Sequence, residues 1–294
     1  MASATSWGGR EACGLGAPAL AAGAVIEPLA HPKPGAVTRL RPQADKDVFT
    51  FAVHSAALAS ALLASCEASA SGSPDPIAVG LRAYRASLRR LGLRVNVGLG
   101  QALMLIPLSA SLPTSHGSLE LMAGRASELI MSSSVEASRE YYALLRDLEP
   151  SHLGSYRGPL PDFREEPRLG LGELLKLVTW DLVASEVTGG YRLTLRALKV
   201  IEEAGGVSEG AIARALAWAL AEAGDTLIAR RWGLRAYLAS RAEVALEASR
   251  GDPVRALEAL DDLWRGRGWS PGAVLDVISA ALGLHLASRA LGQA

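Results

Sequence analysis

Cysteine is almost missing from this sequence: Cys13 and Cys66 are the only two among 294 residues. Two cysteines cannot make a disulfide framework, and their spacing fits no metal site, so both read as reduced and structural. Aromatic residues make up 5% of the chain. The core must therefore be built from Ala, Leu and Val, and helix is the default state. Net charge is absent too, because 30 Lys and Arg balance 30 Asp and Glu. With no basic-aromatic platform either, nucleic acid is excluded as a partner and anionic membrane exerts no pull. The longest apolar run, Val97 to Leu112, is interrupted by Gln101 and Pro107. It falls short of the roughly 20 residues a bilayer span needs, so a buried helix is expected and no membrane association. No basic-then-apolar leader opens the chain, and a cytoplasmic location follows. Neither a phosphate loop ending in Gly-Lys-Ser/Thr nor a dinucleotide glycine fingerprint occurs. The five histidines (His31, His54, His116, His152, His285) lack zinc spacing and read as structural or exposed, with His31 set apart by its proline-rich neighbours.

What is present points to one all-α domain. Residues 1–16 are Gly-, Ala- and Ser-rich without periodicity and read as a loose tail, leaving 17–294 as a single helical domain. Apolar residues at helical spacing predict helices toward Glu27, over Val48–Glu67, Asp75–Arg90, Asn96–Leu112 and up to Leu148. The pattern resumes at Gly172–Val187, Tyr191–Glu203, Ser208–Ala223, Asp225–Arg250, Pro253–Trp264 and Pro271–Leu291. About ten helices in one bundle is the expected architecture. The proline-rich stretch 149–169 reads as an ordered loop or lid.

Certain polar residues contradict their surroundings. Glu27 sits in Ala-Val-Ile-Glu-Pro-Leu-Ala, Asn96 opens the most apolar segment, and Asp181 and Asp276 interrupt runs of Leu and Val. A carboxylate buried without a partner costs several kcal/mol or changes its protonation. Several in one chain suggest a shared cation or a polar ligand. Each also has a plainer reading: Glu27 paired with an arginine, Asn96 and Asp225 as helix N-caps, Asp181 and Asp276 on solvated stripes. Ser270-Pro271-Gly272 is ordinary helix initiation, and equally a helix end whose free amides suit a phosphate. The arginines of 75–90 read as a solvated face rather than a phosphate site.

The segment Glu27-Pro28-Leu29-Ala30-His31-Pro32-Lys33-Pro34-Gly35 resembles the N-terminal signature of the triphosphoribosyl-dephospho-CoA synthase family. The resemblance continues in order through Asp45-Lys46-Asp47 with Phe49 and Phe51, Asn96-Val97-Gly98-Leu99-Gly100 with Pro107, and Asp181 with Glu186. Gly224-Asp225-Thr226 through Arg230-Arg231, and Ser270-Pro271-Gly272 with Asp276, complete it. The chain departs from the family pattern at Thr38, where an Asp is frequent, and at Val97, where the family has Thr.

The resemblance implies an enzyme that moves the 5-triphosphoribosyl group of ATP to a hydroxyl of 3′-dephospho-CoA, releasing adenine. A displacement at the ribose C1′ develops oxocarbenium character, as in glycoside chemistry. It further implies Mg²⁺ against the triphosphate, held by Glu27, Asp181, Asp225 and Asp276. Lys33, Arg230, Arg231, Ser270 and Gly272 would bind phosphate. Asp45 or Asp47 would act as general base, and Asn96 would orient ribose or adenine. Two other readings keep the fold: the same machinery with a different acceptor, and a helical nucleotide-binding protein without catalysis. A homodimer is compatible with the apolar composition.

Overall fold

Ala- and Leu-rich segments become thirteen α-helices and one short 3-10 turn in a computed structural model that describes residues 9–115, 118–148 and 161–292. No strand occurs among the described residues. The first half comprises α1 (Gly9–Leu29), α2 (Val48–Ala70), α3 (Pro76–Arg90), α4 (Leu99–Ser111), α5 (Leu119–Met131) and α6 (Val135–Leu148). The second comprises α7 (Leu171–Lys176), α8 (Leu182–Gly189), α9 (Arg192–Glu203), α10 (Glu209–Ala223), α11 (Thr226–Ala248), α12 (Pro253–Arg267) and α13 (Gly272–Ala290).

Opposite ends of the chain meet at the centre, where α1 packs on both α13 and α2. The α1–α13 contact needs glycine on both sides. A Cβ at Gly23 would lie 2.2 Å from the Ser279 carbonyl oxygen, and one at Gly283 would lie 2.7 Å from that of Leu20. The two backbones therefore touch, which brings Glu27, one turn beyond Gly23, toward the α13 face that carries Asp276 and Ser279. By length and composition α1, α2 and α13 could each cross a bilayer. Here α1 packs against both of the others, and less than half of the apolar stretch of α2 is buried.

Four expectations change. The two cysteines form a disulfide between α1 and α2, with Cα atoms 5.6 Å apart and both side chains fully buried. Two cysteines 53 positions apart in sequence carry no local sign of this, because the helix crossing that joins them is tertiary. Helix begins at Gly9, so residues 9–16 are part of α1, with Ala12 and Cys13 in the core. The segment Gly172–Val187 divides into α7 and α8, because Asp181 accepts from the Ala184 amide at 3.1 Å and starts a new helix. Finally, α5 joins the elements recognised from periodicity.

The arginines of α3 are a paired face. Arg82 meets Glu136 and Glu140 of α6 at 2.6 and 2.7 Å, and Arg85 and Arg89 share Asp147 at 2.7 and 2.8 Å. In the proline-rich stretch, 149–160 lies outside the described residues. The rest runs against α6: the Tyr142 hydroxyl donates to the Pro161 carbonyl at 2.8 Å, and Arg146 donates to that of Phe163 at 2.7 Å.

Candidate active site

Four helices begin at one place. The starts of α4, α8, α11 and α13 supply Asn96–Gln101, Asp181–Ala184, Leu227–Arg231 and Gly272–Asp276 to the wall of a cavity of about 400 Å³. Each helix start brings the positive end of its dipole to this wall, although side chains cap part of the first-turn amides, those of Ala184, Leu227, Ile228 and Val274 among them. The opposite wall is apolar, built from Leu145, Leu174, Leu175 and Val178 around Tyr141, with Pro161 and Phe163 beside them.

Of the residues singled out from sequence, Glu27, Asn96, Asp181, Arg230, Arg231, Ser270, Gly272 and Asp276 line this cavity. Lys33, Asp45, Asp47 and Asp225 do not. Lys33 is buried behind the wall, where its ammonium pairs with the Glu27 carboxylate and donates to the Glu27 carbonyl at 2.6 Å. Asp45 is exposed. Asp47 caps α2, accepting from the Thr50 amide at 2.9 Å and the Thr50 hydroxyl at 2.8 Å. Those bonds hold its carboxyl below the usual range.

Asp225 braces two of the converging helices. One carboxylate oxygen accepts from the Leu227 and Ile228 amides at 2.8 and 3.1 Å, and the other from the Val274 amide of α13 at 2.8 Å. Burial pushes its carboxyl up to about 6, against the pull of those three amides. Asp181 pairs with Arg230, whose guanidinium also lies 5.3 Å from the Trp180 ring centroid. Asn96 accepts from the Leu99 amide at 3.4 Å, which leaves its amide nitrogen to the cavity.

Asp276 differs from all of these, for its carboxylate has no hydrogen-bond partner among the described residues. It lies over Gly100, where a Cβ would come within 1.9 Å of Oδ2. Burial, then the charges of Glu27, Asp225 and Asp181, push its carboxyl well above the carboxylate range, with Lys46 opposing. Among the described residues no three of His, Cys, Asp and Glu are grouped to hold a metal ion.

Sequence reasoning passed over a fully buried relay behind Glu27. Gln101 Nε2 donates to Ser279 Oγ at 2.7 Å and to Glu27 Oε2 at 3.3 Å. Its Oε1 therefore faces His54 Nε2 at 2.8 Å, so that nitrogen carries the proton and Nδ1 accepts from the Tyr84 hydroxyl at 2.8 Å. Burial lowers the His54 pKa to about 4, and the imidazole is neutral. The only sign in the sequence was a lone Gln in an apolar run. Lys46 and Tyr141 also reach the cavity without having been chosen for site roles.

A cavity with one anion-attracting wall and one apolar wall suits a nucleotide. Residues 16–294 match the ATP:dephospho-CoA triphosphoribosyl transferase (CitG) family. The chain belongs to that family. Its members transfer the triphosphoribosyl group of ATP to dephospho-CoA, and the fold and enzyme class read from the sequence stand. No curated protein matches the chain significantly. Among solved structures, it is similar to an Archaeoglobus fulgidus protein described as a triphosphoribosyl-dephospho-coA synthase, with a TM-score of 0.61 and 21% identity. The match covers 79% of this chain and 96% of that one. As a transferase of this family, the chain takes ATP and dephospho-CoA as substrates, which agrees with a site that lacks both common nucleotide-binding loops.

Proposed function

We propose that the cavity where α4, α8, α11 and α13 begin is where this transferase holds ATP and breaks its glycosidic bond. The observation that carries the reading is the convergence of four helix starts on a cavity whose carboxylate, Asp276, has no hydrogen-bond partner among the described residues. The triphosphate would lie along Arg231, Ser270 and the first amides of α13. Adenine would lie toward the apolar wall, within reach of Asn96. The acceptor hydroxyl of dephospho-CoA attacks C1′, the bond from C1′ to the adenine nitrogen breaks, and the proton the hydroxyl gives up ends, net, on that nitrogen of the departing adenine. The sequence suggested Asp45 or Asp47 as the base, but neither lines this cavity, and we assign neither that role.

We further propose Mg²⁺ dependence. A half-buried carboxylate under the charges of Glu27, Asp225 and Asp181 calls for a cation, and Mg²⁺ is the ion a triphosphate carries with it. Mg²⁺ commonly takes one or two carboxylates together with phosphate oxygens. Asp276 would be the principal protein ligand, because Glu27 and Asp181 already have cationic partners and Asp225 is engaged by amides. When bound, the ion would neutralise phosphate charge.

The test is adenine release from ATP, with and without 3′-dephospho-CoA. Release should depend on the acceptor, stop on chelation, and fall by about 100-fold or more in Asp276→Asn. Release that ignores chelation removes the metal from the reading. An active Asp276→Asn enzyme removes the site.

We place the enzyme in the cytoplasm, as suits a biosynthetic enzyme that uses ATP, with its disulfide shielded from reductants by complete burial. We also propose a homodimer. Leu234, Leu238, Ala242 and Leu246 repeat four residues apart on an exposed face of α11, the kind of stripe a second copy would cover.

A further inference from the structure

Positive charge around the cavity is unevenly committed. Lys33 neutralises Glu27, and Arg230 is paired with Asp181. Lys33 is thereby spent, whereas Arg230 keeps its buried Nε without a hydrogen bond among the described residues. Two other cations reach the wall: Arg231, which lies 6.0 Å from the Trp232 ring centroid, and Lys46. The Lys46 ammonium makes no hydrogen bond and no ion pair among the described residues.

Lys46 is not a surface lysine left to wander. The loop that carries it is pinned on both sides. Asp47 beside it is fixed at the start of α2 by its reciprocal bonds with Thr50. Gln43 donates its amide to the Lys46 carbonyl at 2.9 Å, and its side chain donates to the Gly35 carbonyl at 2.6 Å and to Ser270 Oγ at 3.1 Å. The loop is thereby tied to the residues just before α13. In this loop Asp45 is exposed while Lys46 reaches the cavity wall. The charges acting on the ammonium are those of Asp45, Asp276 and Glu27, with Arg231 repelling it, and burial disfavours its charged form. A half-buried ammonium held without a contacting counter-ion is costly unless a ligand supplies the anion. The first amides of α13, at Gly272 and Ala273, share the wall, and they are among those an α-helix leaves unpaired.

We infer that Lys46 is a triphosphate-binding residue of this transferase, closing an anion subsite with Arg231 and the first amides of α13. The inference rests on ATP occupying this cavity. It moves the lysine contact from Lys33, which is buried against Glu27, to Lys46 on the loop before α2. Because Lys46 also faces Asp276, one ammonium would lie between the phosphates and the carboxylate assigned to the metal.

The experiment measures binding of inorganic triphosphate with Mg²⁺, and separately of adenosine, to the wild-type enzyme and to Lys46→Gln and Lys46→Arg. Loss of one charge-assisted contact should weaken triphosphate and ATP by about 10- to 100-fold in Lys46→Gln. Adenosine affinity should hold, and Lys46→Arg should recover most of the loss. In the wild-type enzyme, triphosphate should protect Lys46 from an amine-modifying reagent, whereas adenosine should not. Wild-type triphosphate affinity in Lys46→Gln, an equal loss of adenosine affinity, or unchanged modification under saturating triphosphate would each overturn the inference. A wild-type enzyme that binds neither triphosphate nor ATP would overturn the placement of ATP as well.

Discussion

Individual side chains around the cavity make opposite demands on pH. The buried His54 is neutral in the folded protein, with its pKa lowered to about 4, while the unfolded imidazole titrates near 6.5. A depressed folded pKa means the unfolded chain binds the extra proton first. The stability this gives is complete above about 6.5 and is lost as pH falls toward 4, by about 3 kcal/mol at most. Asp225 works in the other direction. Its carboxyl is raised to about 6, so its contribution is complete below about 4 and disappears as pH rises through 6. Comparing urea unfolding of wild type and His54→Gln at pH 7 and pH 4.5 isolates the imidazole: the gap between them should narrow as pH falls. A constant gap would mean that folding leaves the His54 pKa unshifted, and a widening one that His54 is protonated when folded. Gly100 offers a sharper separation of folding from function. Ala there gains up to about 1 kcal/mol of helix propensity, but its Cβ would come within 1.9 Å of Asp276 Oδ2. Gly100→Ala should therefore melt near the wild-type temperature while losing activity as Asp276→Asn does. A fully active variant would show that the carboxylate has no fixed position.

At the scale of elements, helices were legible where the sequence sets their ends locally. Asp47, Asp75, Ser208 and Asp252 each accept from an amide of the helix they open, and short-range capping of this sort shows in residue order. The acidic residues that looked misplaced in apolar runs owe their places partly to the same rule, since Asp181 and Asp225 are N-caps whose helices start at the cavity. Their clustering was not legible, because it comes from how α8 and α11 pack. Lys46 was hidden for a related reason: spacing gives the sequence Asp-Lys-Asp but not which of the three turns inward. The disulfide belongs to this scale as well. It ties α1 to α2 across 53 positions, and a closed loop of that length restricts the unfolded chain by about 4 kcal/mol in the entropic account. Cys13→Ala with Cys66→Ala should lower stability by about 2–4 kcal/mol in urea with dithiothreitol absent. Native enzyme should resist modest dithiothreitol until it unfolds, and equal stability of the two proteins would show the pair to be unbridged.

Taken whole, the molecule has a cavity with one charged and one apolar wall where elements from the start, middle and end of the chain meet, beside helices apolar enough for a bilayer. The fold class was readable because composition alone favours helix, whereas the topology depends on contacts no local pattern encodes. The face of α11 that carries Leu234 and Leu238 is an exception to the general burial of apolar helix surface, at 66% and 53% exposed. Sedimentation should give twice the 30.7 kDa chain mass, and Leu234→Glu with Leu238→Glu should return it to the chain mass. A wild-type monomer would leave that stripe without a partner copy.

The close crossing of Gly23 and Gly283 also sets an order of events during synthesis. Glu27, Lys33 and Lys46 leave the ribosome early, while Gly272, Asp276 and Gly283 follow more than 200 residues later. Until α13 emerges, the groove along α1 that receives it is open to water and apolar. At the usual pace of translation that interval lasts about ten seconds or more. A nascent chain at the end of that interval has all its helices but α13, and so neither its central partner nor a site, which makes it a natural client for chaperones and a poor substrate binder. A synonymous change that slows translation just before α13 would prolong that state without altering a single side chain.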